Sequence, residues 1–102
     1  MNNISYEERV KVYNKAADAY GADMQLVVAL EELSEVQKEI CKMLRNKGSL
    51  EHLAEEVADA TIVLEQVRNI FFINDRVCEY MDAKVTRLND RVTRQAHKKQ
   101  GV

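Results

Sequence analysis

A chain of 102 residues with 46% hydrophobic content, four Tyr, two Phe and a net charge of −2 has room for one small domain and not for two. The lack of proline, with only three glycines and abundant Ala, Leu, Glu, Lys and Arg, argues against a turn-rich β fold and favours helix throughout. There is no signal peptide and no apolar run of membrane-spanning length, and Cys41 and Cys78 form no CxxC pair, so the expectation is a reduced, cytoplasmic protein without a membrane partner.

Ser5 followed by Glu8 reads as a capping box opening the first helix. Its stripe Tyr6, Val10, Tyr13, Ala17, Tyr20 can fill a core or subunit interface or stack a nucleobase, and Gly21 stops it. The second helix is expected from about Asp23 to about Asn46, with Gly48 as its left-handed cap and Ser49 as the N-cap of the next. The third runs from about Leu50 to about Phe72, and Asn74-Asp75 supplies a turn and cap. The fourth carries the stripe Val77, Met81, Val85, Leu88, Val92 and ends in a frayed HKKQGV. Such short connections imply antiparallel neighbours, so the expected fold is an all-α antiparallel bundle of about four helices, one domain over residues 1–102. The third helix is apolar nearly all round, with Ile62 opposite Leu53. One chain of this size cannot easily cover both sides, which predicts a homodimer or homotetramer that completes the core.

Charge is unevenly distributed. Nine acids lie between Glu31 and Glu65, whereas from Arg76 onward seven Lys or Arg face three acids. Within EELSEVQKEI (residues 31–40) the i+4 neighbours of Glu31, Glu32 and Glu35 are Glu35, Val36 and Glu39, none of them basic, and like pairs at this spacing are unfavourable in an isolated helix. On the second helix Leu26, Leu30, Leu33, Ile40 and Leu44 define the expected core stripe, while Glu32, Glu35 and Glu39 share the other side with Val28, Val36 and Met43. On the third, Leu53, Val57, Ala60, Leu64, Val67 and Phe71 form the main stripe. Glu56 and Asp59 fall in a second strip with Val63 and Ile70, which directs them inward.

Such carboxylates can take protons, meet basic side chains or bind a cation. Two i, i+3 pairs on antiparallel helices bring oxygen donors to one point, a hard-cation arrangement suited to Mg²⁺ or Mn²⁺. No calcium-loop dodecamer and no phosphate loop occur. A di-iron site needs two E-x-x-H elements, which neither His52 nor His97 completes, and both histidines are left without a role.

The run Glu31-Glu32-Leu33-Ser34-Glu35, then twenty residues, then Glu56-Val57-Ala58-Asp59 resembles the E-E-x-x-E and E-x-x-D signature of the MazG-like all-α nucleotide pyrophosphohydrolases, relatives of the dimeric dUTPases. The likeness extends over AYGADMQLVVALEELSEVQKEICKMLR, EEVADATIVLEQV and KVTRLNDRV, most of the chain. It implies that Glu32, Glu35, Glu56 and Asp59 ligate Mg²⁺ and that Glu31 orients or deprotonates the attacking water. The implied reaction cleaves a nucleoside triphosphate between the α and β phosphates to a monophosphate and pyrophosphate, which fits nucleotide-pool housekeeping. Lys84, Arg87 and Arg91 share one helix face, as phosphate clamps or as an outer charged face would, and Lys38 is a further phosphate candidate. Glu39 is expected to be charge only. Nucleic acid is not an expected partner; the alternative reading is a non-catalytic interaction module that docks through its acidic patch or its basic last helix.

Overall fold

The computed structural model describes residues 3–100. The chain is all-α: α1 spans Tyr6–Tyr20, α2 Ala22–Leu44, α3 Leu50–Ile70 and α4 Asn74–Gln100, with no strand among the described residues. It divides into two compact units, residues 1–72 with α1 to α3 and residues 73–102 with α4. No helix among the described residues is long and apolar enough to cross a membrane.

Local chemistry sets the helix ends. Ser5 Oγ accepts from Glu8 N at 3.1 Å, half of the expected capping box. A single residue, Gly21, separates α1 from α2, and its φ of 88° is one that a side chain would resist. Ser49 caps α3 through His52 N at 3.0 Å. The left-handed residue after α2 is Asn46, with φ 59°, and not Gly48. Asparagine tolerates that region through its short polar side chain. Gly48 instead sits close against α2: a Cβ there would lie 2.7 Å from Met43 Sδ and 3.1 Å from Met43 N, so a larger residue would require Met43 to shift. After α3 the left-handed position is taken by Phe72, φ 55°. Val77 N donates to Ile73 O at 2.9 Å, so Asn74 and Asp75 lie inside the first turn of α4, not ahead of it. The helix continues through Gln100 where fraying was expected, and residues 101–102 lie outside the described range.

In the first unit α2 and α3 form an antiparallel hairpin against which α1 packs. The face that α2 turns to α3 holds Gln25, Ala29, Glu32, Val36, Glu39 and Met43, spaced alternately by four and three residues. Of these, Gln25, Ala29 and Glu39 are buried. From α3 it meets Glu56, Ala60, Val63, Val67 and Ile70, with Ala60 and Val63 buried. This corrects the expected stripes. Leu30, Ile40 and Leu44 on α2, and Val57, Leu64 and Phe71 on α3, are exposed. The packed face of α3 draws on both expected strips, Ala60 and Val67 from the main one and Glu56, Val63 and Ile70 from the second. Small side chains at Ala29 and Ala60 let the helix axes approach, which large residues at those positions would prevent.

α1 is fastened by Tyr13, the buried member of its tyrosine stripe, and by Arg9. Arg9 Nε and Nη2 donate to Glu65 Oε1 and Oε2 at 2.8 and 3.0 Å, and Tyr13 Oη donates to Oε1 at 2.6 Å. In the second unit α4 is amphipathic. Lys84, Arg87 and Arg91 run along one flank of its apolar stripe and surround Leu88 at a shallow recess of about 270 Å³.

Candidate metal centre

Polar residues recur every seven positions along the α2 seam, and each forms a layer with α3. At the loop end, Glu39 is buried, with Oε1 at 3.3 Å from Lys42 Nζ and 3.7 Å from His52 Nδ1. Glu39 was expected to be mere surface charge and His52 to have no role. Both expectations are corrected: Glu39 is a buried carboxylate paired with Lys42, and His52 lies against it beside the α2–α3 turn.

One heptad back, Glu32 from α2 meets Glu56 and Asp59 from α3, each offering a carboxylate oxygen within 4.8 Å of the others. Glu32 and Glu56 are half-buried and Asp59 is exposed, so the cluster opens to solvent on one side. Glu56 Oε2 is buried and has no hydrogen-bond partner. Among the described residues no Lys, Arg or His forms an ion pair with any of the three. Partial burial, then the charges of Asp59, Glu56, Glu35 and Glu31 in that order, hold the Glu32 carboxyl above the usual carboxylate range.

The remaining sequence-derived residues stand differently. Glu35 is close enough to act on Glu32 electrostatically, yet it lies outside the three-carboxylate group and 3.8 Å from Lys38 Nζ. The expectation that it lacks a basic neighbour is therefore corrected: the partner sits at i+3, where a count at i+4 does not find it. Lys38, a phosphate candidate, is exposed and is this neighbour of Glu35. Glu31 is exposed, and its backbone oxygen accepts from Ser34 Oγ at 2.8 Å. Lys84, Arg87 and Arg91 do share one face, on α4.

The donor set suits a hard divalent cation. All three ligands are oxygen, two helices hold them without a flexible loop, and an orphaned buried carboxylate oxygen is a group that a cation would satisfy. Sequence reading found Glu32, Glu56 and Asp59. It missed the Arg9–Tyr13–Glu65 linkage, whose members are 52 and 56 residues apart and belong to no local pattern. In comparisons with family models, with curated proteins and with solved structures, nothing matches this chain.

Proposed function

We propose that the chain is a Mg²⁺-dependent nucleoside triphosphate pyrophosphohydrolase, with Mn²⁺ as a substitute, of the MazG-like kind that its signature resembles. The observation that carries this reading is the convergence of Glu32, Glu56 and Asp59 with no ion-paired Lys, Arg or His among the described residues and one buried oxygen unpartnered. Three like charges in a half-buried seam are unfavourable unless a cation offsets them.

Glu32, Glu56 and Asp59 would hold the metal, with Glu35 completing the set from the next turn of α2. Bound there, Mg²⁺ would supply charge neutralisation for the triphosphate and a lowered pKa for coordinated water. Glu31, which is exposed and adjoins Glu32 in the chain, would take a proton from the attacking water. Water adds at the α–β phosphoanhydride, the bridging bond breaks, and one water and one triphosphate yield a nucleoside monophosphate, pyrophosphate and a proton. Lys38, one turn beyond Glu35, is the proposed phosphate contact of the first unit, as a cation that can balance the leaving pyrophosphate. A homodimer or homotetramer is part of this proposal. In the first unit Val27, Leu30, Ile40, Leu44, Val57, Ile62 and Leu64 are exposed, more apolar surface than three packed helices usually leave open. A cytoplasmic location and a role in nucleotide-pool maintenance belong to the same reading.

The test is a panel of standard and altered nucleoside triphosphates incubated with Mg²⁺ and resolved by product. Release of a monophosphate and pyrophosphate from at least one of them is expected. No turnover of any at high protein concentration, together with salt-sensitive macromolecular binding that ignores Mg²⁺, would replace the hydrolase with the interaction module.

A further inference from the structure

The third polar layer of the seam has no partner of its own. One heptad back from Glu32 stands Gln25, only 6% exposed, whose Nε2 is buried without an acceptor. It lines a cavity of about 380 Å³ formed with Ala16 and Tyr20 of α1, Met24 and Val28 of α2, and Gln66 of α3. That volume is within the range of small-molecule sites, and apolar walls with a few convergent polar groups are their usual make-up. Gln66 stands seven residues beyond Asp59 on α3, as Gln25 stands seven before Glu32 on α2. Two helical turns, about 10 Å, therefore separate each amide from the acidic cluster along its helix. Tyr20, next to the Gly21 break, is 74% exposed and leaves a ring face free at the cavity rim.

The only two buried side-chain atoms without partners among the described residues, Gln25 Nε2 and Glu56 Oε2, thus belong to neighbouring layers of one seam. We infer that one ligand completes both: the cavity of Gln25, Gln66 and Tyr20 holds the base of a nucleotide whose phosphates lie at Glu32, Glu56 and Asp59. This rests on the hydrolase reading for its phosphate end. The chemistry fits a heterocyclic base. A carboxamide offers a donor and an acceptor side by side, which matches the edge of a base, and the unpartnered Nε2 calls for a carbonyl or ring nitrogen. Met24, Val28 and Ala16 supply apolar contact for ring faces, and Tyr20 supplies a stacking surface. A charged ligand group would find no counter-ion among the cavity residues.

The test follows the side-chain amide signals of Gln25 and Gln66 by NMR in the full chain with Mg²⁺, titrated with purine and pyrimidine nucleoside 5′-monophosphates and with ribose 5-phosphate as the base-free control. At least one monophosphate is expected to shift both amides saturably while ribose 5-phosphate does not. Gln25→Leu, which removes an unpartnered amide and should not unfold the protein, is expected to weaken that binding about ten-fold while leaving Mg²⁺ binding as in the unaltered chain. Tyr20→Ala, at an exposed position, is expected to weaken it in the same direction. Equal shifts from the base-free control, binding that bypasses these amides, or no binding by any monophosphate would overturn the inference. Triphosphate hydrolysis without the base-dependent shifts overturns the base cavity and leaves the hydrolase standing; base-dependent shifts without hydrolysis do the reverse.

Discussion

Glu56 and Glu65 sit nine residues apart on α3 and show two fates of a partly buried carboxylate. Glu65 is held below the usual carboxylate range, first by the Arg9 guanidinium hydrogen bonds and then by the Tyr13 hydroxyl. Burial and the same carboxylate push Tyr13 up to about 12. The linkage signs follow. Stability from Glu65 is present at neutral pH and lost as pH falls through its depressed folded value; stability from Tyr13 is present below its ordinary pKa of 10.0 and lost as pH rises through about 12. Glu65→Gln should cost about 1–3 kcal/mol, seen as a lower thermal midpoint at pH 7, and should flatten both limbs of the pH–stability curve. Glu32 has the opposite sign. Its raised pKa means that the metal-free fold gains stability as pH falls from neutral toward the folded value, so in the Glu65→Gln protein mild acid should raise the melting temperature. Glu56→Gln removes one of the converging charges. The metal-free protein should melt higher than the unaltered chain, while Mg²⁺ affinity by calorimetry should fall at least about ten-fold.

At the scale of elements, helix starts and stops were largely legible because they depend on neighbours in sequence: Ser5, Gly21 and Ser49 act where their chemistry placed them. Helix faces were read less well. Ranking side chains by hydrophobicity put Leu30, Ile40 and Leu44 in the core, whereas the seam is set by what lets two helices approach, Ala29 and Ala60, together with polar residues at heptad spacing. The series Gln25, Glu32, Glu39 was the signal that could have located that face. The cluster of Glu32, Glu56 and Asp59 was legible because its carboxylates fall in two short motifs, while the approach of His52 to Glu39 depends on the hairpin register and so was not. Asn46 tests the turn reading: Asn46→Ala should lower stability by about 1 kcal/mol, since alanine resists a φ of 59°, and Asn46→Gly should not. Paired thermal melts of the two variants would show it.

For the whole molecule, the apolar residues left exposed on the first unit predict self-association. Sedimentation at micromolar concentration should give a dimer or tetramer; a monomer would contradict that part of the proposal. The central claim concerns the acidic seam, and hydrolysis by the unaltered chain and by Glu56→Gln, compared across a Mg²⁺ titration with monophosphate and pyrophosphate both quantified, tests it most directly. The expected result is Mg²⁺-dependent release of the two products in equal amounts by the unaltered chain and a loss of at least about a hundred-fold in the variant, as for removal of a group that stabilises transition-state charge. Equal rates in the two proteins, or turnover that persists when the metal is chelated, would contradict it.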